Sequence, residues 1–475
     1  MKLRLQPLPD NEFDALEDAV LRLLSEVGVL FEHDKARDLL RKAGNSVDGS
    51  GRVLLKRSFV ESMIRSIPRD GFAMFGRDES RSLRVACDSV ASRPSTGAPF
   101  ILDFSTRRRR NVTLDDSRNM VLLTDALDNY DMVNNVVNPF DSPGAGENLR
   151  LFAGVHRSSL KPSDITVMTP DEVRGIARIA AAIRGGESSL REKPLTLIDV
   201  AMITPLRCAA EQVEALLECA RLGLPVEVLT SPSLGVSSPL TLPAGAALAV
   251  AECLAALCLL YLVAPGLGVV NTARVSPVNM RTTAYNYGTP DLGIASVLVA
   301  DVCARYRLPT NLYGFGTVAK SVGAQSSMEK TFSGLLLGLS QPHMITGPAI
   351  LDNAMCTSPE LLVIDNEALR FIKHVRRDIP VNDDTLAVDL LKRFVADPSL
   401  AILAEDHTLR HLRAGETLDC SLGQWTSYDQ WIAAGSPDLF DLAHLKVEEI
   451  LSSHSVDPFP ADVERDIRRI LKDTP

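Results

Sequence analysis

The sequence predicts an α/β fold: a (β/α)8 TIM barrel carrying a helical N-terminal extension and a C-terminal extension. Short, β-branched, almost continuously apolar runs recur from about residue 98 onward, with amphipathic helical stretches between them. Each run closes on Gly, Pro, Asn, Asp, Ser or Thr. Strands that are apolar on both faces belong to parallel sheets covered by helices. Repeated eight times over about 280 residues, this rhythm matches a closed barrel in number and length. An open doubly wound sheet is the alternative, but no GxGxxG follows the first run.

Residues 1–95 form the extension that precedes the barrel. Phe13 to Val29 carries apolar residues at helical spacing, and a second amphipathic stretch, Asp34 to Ala43, ends at Gly44 as a C-cap would. A short element at Val53–Leu55 follows, then a helix from Ser58 to Ile67 that Pro68 stops. The barrel is expected over 96–375. Its candidate strands are Pro99–Phe104, Met132–Asn138, Ile165–Thr169, Leu195–Ala201, Pro225–Thr230, Leu267–Ala273, Pro309–Gly316 and His343–Gly347. Helices are expected near 114–127, 146–158, 170–184, 207–223, 243–263, 290–306, 326–340 and 358–375. Residues 376–475 form the C-terminal extension, with a helix at Leu386–Val395, an irregular stretch holding Trp425 and Trp431, and a last helix from Pro460 to Leu471.

Sixty acidic against fifty basic residues in a chain of 475 give a net charge of −10, which argues against nucleic acid or an anionic membrane as partner. The one basic run, RRRR at 107–110, reads as a solvated loop rather than a phosphate grip. Eight scattered cysteines (87, 208, 219, 253, 258, 303, 356 and 420) include no CxxC and fit free thiols in a reducing compartment. The N-terminus lacks the apolar run of a signal peptide, so a cytoplasmic protein is expected. Leu242 to Pro265 is long enough to span a bilayer, but Glu252 interrupts it, alanine dominates it and no basic cluster flanks it. A buried helix is the expected reading, with a homo-oligomer interface left open for it.

In a barrel the chemistry sits at the C-terminal ends of the strands and in the loops that follow. That filter selects Asp103, Phe104, Asn138, Asp141, Thr169, Asp199, Ser231, Asn271, Arg274, Tyr313, Phe315 and Thr346, and the loops add Arg281, Lys320, Gln325 and Glu329. Walker, HExxH and GxSxG strings are absent. His407 and His411 stand at i,i+4 on one helical face, but no third ligand is adjacent in sequence, so no metal is expected. The residues alone thus stop at a barrel enzyme with an aromatic and polar mouth.

Longer strings carry a resemblance. Ser25 to Asp48 (SEVGVLFEHDKARDLLRKAGNSVD), Arg52 to Pro68 (RVLLKRSFVESMIRSIP) and Leu234 to Gly266 (LGVSSPLTLPAGAALAVAECLAALCLLYLVAPG) resemble the trimethylamine methyltransferase family. So do Val278–Thr282 (VNMRT), Arg307–Lys330 (RLPTNLYGFGTVAKSVGAQSSMEK), Ile364–Arg370 (IDNEALR) and Asp406–Arg413 (DHTLRHLR), in the same order along nearly the whole chain. The resemblance implies a TIM-barrel methyltransferase with no tightly bound cofactor. It would move a methyl group from a small methylated amine to the Co(I) corrinoid (cobalamin) of a separate carrier protein. Gln325 and Glu329 fall on the family's Gln–x–x–x–Glu pair and are the implied catalytic residues.

Where the family commonly has Asp, this chain has Asn279, and Val322 or Gly323 before the Gln. The founding branch uses pyrrolysine, whereas this chain has only standard residues. A quaternary amine needs no such help, because its leaving group is already a neutral tertiary amine. A quaternary substrate such as glycine betaine, proline betaine, carnitine or choline is therefore expected, gripped by an aromatic wall from Phe104, Tyr313, Phe315 and Trp425. Arg281 or His343 is the expected anchor for a carboxylate. Two other readings stay open: another TIM-barrel enzyme, a zinc-dependent methyltransferase or a decarboxylase-like relative, and a non-catalytic small-molecule-binding homologue.

Overall fold

The computed structural model describes residues 5, 8–68, 70–86, 90–141, 144, 146–397, 399–419 and 421–473, so Cys87 and Cys420 lie outside the described residues. Parallel pairing runs round a closed ring. Ser163–Thr166 pairs with Thr196–Ala201, which pairs with Val226–Thr230, which pairs with Val269–Ala273. Asn271 bridges to Thr310, Asn311–Tyr313 pairs with Met344–Thr346, and the latter pairs with Ala91–Ser92. The ring closes through Ala98 to Val137 and Val133 to Ser163. This is the eight-stranded barrel that the alternation predicts.

The first strand differs from the expectation. Pro99–Phe104 is not a barrel strand; Ala91–Ser92, ahead of the expected boundary at 96, takes that place. Phe100–Leu102 instead folds back on Arg109–Asn111 and pairs in parallel with Cys356–Thr357, outside the ring. The reason is compositional: the true strand carries Arg93 and small polar residues toward a polar barrel interior, so it shows no apolar run. The arginine run is likewise more than a solvated loop. Arg110 binds Asp103 at 2.8 Å and Asp116 at 2.5 Å, fastening the hairpin to the N-terminus of the helix Leu114–Ala126.

The long apolar helix Leu242–Val263 has no polar face, because every side of it is covered. The strands Val226–Thr230 and Val269–Ala273 lie beneath it, Ala210–Leu222 and Pro290–Tyr306 flank it, and Asp10–Arg22 and Arg57–Arg65 of the N-terminal extension cap it. It is the one described helix long and apolar enough to cross a membrane, and 89% of its most apolar window is buried. The extension is pinned by its own strand, Val29–Phe31, which pairs with Arg52–Leu54 and with Arg207–Cys208 after the fourth barrel strand. Glu252 inside the helix accepts hydrogen bonds from Thr204 Oγ1 at 2.9 Å, from the Leu206 amide at 2.8 Å and from Thr230.

One end of the barrel is closed. The hairpin of Phe72–Met74 and Leu83–Val85 places Met74 and Val85 against Met132, Leu197, Val270 and Met344, an apolar plug at the strands' N-terminal ends. The C-terminal extension returns along the outside. Leu439–Ser453 lies on Pro359–Val375, and Ala461–Asp473 lies on Pro170–Arg184, with Arg157 bound to Glu464 at 3.1 Å. What remains open for chemistry is the C-terminal end of the ring.

Candidate active site

Side chains alternate inward and outward along each barrel strand. Above the apolar plug the inward positions turn polar. Arg93, Asn134, Asp164, Asp199, Glu227, Thr272 and Asn311 are all buried. Arg93 is the hub: its guanidinium binds Asp164, Glu227 at 2.8 Å and Asp199 at 3.7 Å. Glu227 also accepts from Asn311 Nδ2 at 2.8 Å and from Thr272. Three carboxylates surround one guanidinium, so full ionisation leaves net negative charge in a low-dielectric interior. Burial raises Asp164 to about 6 and Asp199 well above the usual carboxylate range, Arg93 opposing the shift in both.

This layer is polar beyond its own needs. Arg93 Nε, Asn134 Oδ1 and Asn311 Oδ1 are buried without a hydrogen-bond partner of normal geometry, as are Tyr313 Oη and Thr346 Oγ1 above them. A folded protein seldom leaves so many polar atoms unsatisfied in one place, and such groups call for water or a ligand.

At the mouth an aromatic series descends from the surface. Tyr285 is exposed and stacks on Tyr287 with centroids 5.3 Å apart, and Tyr287 meets the edge of buried Tyr313 at 5.5 Å. The Arg274 guanidinium stands 4.6 Å from the Tyr313 ring centre and 5.8 Å from that of Tyr287. Its Nε donates to Ser231 Oγ at 3.0 Å; Ser231 in turn bonds Ser276 at 2.7 Å, and Ser276 bonds Tyr287 Oη at 3.2 Å. Among the described residues no carboxylate pairs with Arg274. A partly buried guanidinium held by a hydroxyl and two rings keeps its fork available for an anion.

The expected residues divide sharply. Tyr313 stands at the mouth. Glu329 accepts from Thr317 Oγ1 at 2.5 Å, the Val318 amide at 3.0 Å and Gln325 Nε2 at 2.8 Å, so the pair ties down the loop after the seventh strand. This loop reaches the mouth, since a Cβ added to Gly288, one residue beyond Tyr287, would lie 2.4 Å from Glu329 Oε2. The other expected residues are not brought there. Phe104 stacks on His444 of the C-terminal extension at 3.8 Å. Phe315 is fully buried and points outward between strand and helix, against Gly334. Arg281 is exposed, on a turn built around Asn279. His343 opens the eighth strand at the closed end, where its Nδ1 accepts from the Thr310 amide and burial lowers its pKa to about 4. Trp425 is 67% exposed on the C-terminal extension.

Arg274 and Asp199 satisfy the strand-end filter, yet Arg274 ranks no higher in the sequence than a dozen other residues. Tyr285 and Tyr287 carry a signal of their own, a Tyr–x–Tyr in the loop after the sixth strand of a chain with only 5% aromatic residues. Arg93 carries none, because its strand is hidden.

Comparison with known proteins places this architecture. The family profile described as trimethylamine methyltransferase (MTTB) matches residues 2–473. The chain belongs to the trimethylamine methyltransferase family. Membership makes it an enzyme of the methyltransferase class. It is 28% identical over 466 residues to trimethylamine methyltransferase MttB of Desulfitobacterium hafniense (strain DSM 10664 / DCB-2), covering 98% of this chain and 93% of that one. It is 26% identical over 453 residues to the glycine betaine methyltransferase of Desulfitobacterium hafniense (strain Y51), covering 94% and 92%. The fold is similar to that of the monomethylamine methyltransferase MtmB of Methanosarcina barkeri, with a TM-score of 0.54 at 12% identity over 94% of this chain and 89% of that one.

Proposed function

We propose that the substrate is a quaternary amine bearing a carboxylate, of the betaine class, and that its methyl group passes to the reduced corrinoid of a separate carrier protein. The observation that carries this reading is Arg274, a guanidinium at the mouth of a barrel, lodged among tyrosines and without an acidic partner among the described residues. A free amine such as trimethylamine gives Arg274 nothing to bind, whereas a carboxylate completes its fork. The second half of the zwitterion is matched too. Tyrosine faces attract an N-methyl cation, each contact being worth about 0.5–2 kcal/mol. The excess of carboxylates around Arg93 adds a negative field from below.

Transfer requires in-line attack on the methyl carbon, with the C–N electron pair leaving on nitrogen. From a quaternary centre the departing group is a neutral tertiary amine, so the chain need not supply a proton. Its work is orientation: Arg274 holds the carboxylate, Tyr313 and Tyr287 the cationic end, and the Gln325–Glu329 pair fixes the loop beside them. The acceptor supplies the nucleophile and comes from outside, for which the rim is suited. Phe140, Met168, Val236, Met280, Met328 and Met355 are exposed on loops or helix starts following six different barrel strands. Flexible methionines on an apolar rim adapt to a docking protein. We place the enzyme in the cytoplasm, in keeping with six described cysteines that are all buried free thiols.

The test is methyl transfer to a reduced corrinoid with glycine betaine, proline betaine, carnitine, choline and trimethylamine as donors. Carboxylated quaternary amines are expected to turn over fastest. Faster turnover of trimethylamine than of every betaine overturns the reading.

A further inference from the structure

We infer that Asp384, His407 and His411 form a binding site for a divalent transition metal of the zinc class, remote from the barrel mouth. The helix Asp406–Arg413 places the two histidines one turn apart on one face, with ring centroids 4.3 Å apart. The missing third ligand comes from a different segment, the short helix Asp383–Leu386. One donor atom from each of the three residues lies within 4.8 Å of the other two. Tetrahedral zinc asks for ligand atoms about 3.3 Å apart, a closure that side-chain rotation supplies.

Polar contacts already converge on the same point. His411 Nε2 is shielded from solvent and faces Asp384 Oδ2 at 3.2 Å, without a hydrogen bond of normal geometry. His407 Nε2 lies 2.9 Å from the backbone oxygen of Asp384. Arg410 donates to both carboxylate oxygens, at 2.9 and 2.6 Å, and fixes the orientation of the group. A carboxylate has lone pairs enough to keep one such contact while ligating, and an outer partner of this kind fixes its orientation. Two imidazoles and one carboxylate favour zinc and its Irving–Williams neighbours over calcium or magnesium, which prefer all-oxygen sites. A fourth position stays open to water.

The location gives the site a task. Val381, Leu391, Val395, Leu403 and Leu412 in this part of the extension are exposed, so apolar burial does little to hold it together. A metal joining Asp384 to the histidine helix cross-links two segments that otherwise meet through polar contacts.

The experiment uses the full chain, stripped with a chelator and dialysed, then titrated with Zn2+ in competition with a chromophoric chelator. One equivalent is expected to bind. His407→Gln and His411→Gln are each expected to weaken it at least about tenfold, while His33→Gln, in the N-terminal extension, leaves it unchanged. Co2+ in place of Zn2+ is expected to give a visible ligand-field spectrum that both variants lose, and Zn2+ should slow proteolysis within 376–436. Should the histidine variants fold poorly, Asp384→Asn gives the same reading. The absence of stoichiometric binding overturns the proposal, as does equal affinity in wild type and the double histidine variant.

Discussion

The guanidinium of Arg274 lies 4.6 Å from the centre of the Tyr313 ring and has no carboxylate partner among the described residues. A charged group so placed loses water without gaining an opposite charge, a cost that substrate binding can recover. Arg274→Gln is therefore expected to raise KM for carboxylated betaines by about 1.5–3 kcal/mol in free-energy terms. KM for choline, which has no carboxylate, should change little. Steady-state kinetics on the two donors check the split.

The aromatic faces predict a different pattern. Tyr313→Phe keeps the ring and loses a hydroxyl that lacks a hydrogen-bond partner of normal geometry, so donor affinity should persist. Tyr313→Leu removes the ring and should weaken every quaternary donor by about 0.5–2 kcal/mol. Equal behaviour of the two variants in a binding titration counts against the ring as a cation contact.

Lys330 and Asp365 form a buried pair at 3.1 Å behind the mouth. Lys330 Nζ also donates to the carbonyls of Phe315 at 2.7 Å and Ile350 at 2.9 Å, and Asp365 accepts from the Ala349 amide at 2.6 Å. Burial lowers the lysine's pKa and raises the aspartate's. Lys330→Met strands the carboxylate and should cost about 3–5 kcal/mol. Lys330→Met with Asp365→Leu removes the stranded charge but leaves the Phe315 and Ile350 carbonyls and the Ala349 amide without partners, so chemical denaturation should show only part of the loss recovered.

The carboxylates around Arg93 predict a pH dependence. Asp164 and Asp199 have raised pKa values in the folded state, so between about pH 4 and the folded value the native chain binds more protons than the unfolded one. Their stabilisation is complete below the unfolded pKa and is lost as pH rises. Asp199→Asn should therefore gain stability relative to wild type on going from about pH 4 to pH 8. His156 and His343, both lowered by burial, act in the opposite direction and cancel in this difference. Melting temperatures of the two proteins across that range decide it.

Glu252 predicts a contrast between isosteres. Glu252→Gln keeps an acceptor for the Leu206 amide and turns an NH2 donor toward the Thr204 and Thr230 hydroxyls, which can accept it, whereas Glu252→Leu leaves the amide and hydroxyls unsatisfied. The leucine variant should lose about 1–3 kcal/mol in denaturant unfolding, and the glutamine variant less.

The barrel was legible because seven of its strands announce themselves as apolar runs, and periodicity reports what a strand buries against helices. The remaining one, the first strand around Ala91–Ser92, is defined by what it sends inward. Arg93 and its small neighbours look like a loop until the three carboxylates they face, from strands far apart in sequence, are seen together. The site was legible only in part for the same reason. Strand-end position picked out Tyr313 and Arg274, but the choice of Arg281 over Arg274 as anchor depended on which arginine the chain turns inward. Phe104 follows a strand that lies outside the ring, so strand-end position does not bring it to the mouth.

The cladding of Leu242–Val263 by the N-terminal helices also bears on how the chain survives its own synthesis. Translation delivers Asp10–Arg22 and Arg57–Arg65 well before the greasy rod they shield, so a cover is waiting when that rod emerges from the ribosome. A circular permutant that moves those helices to the far end reverses the schedule and leaves the rod naked for most of elongation. Such a permutant, with every native contact still available to it, should depend on chaperones more than the natural order does.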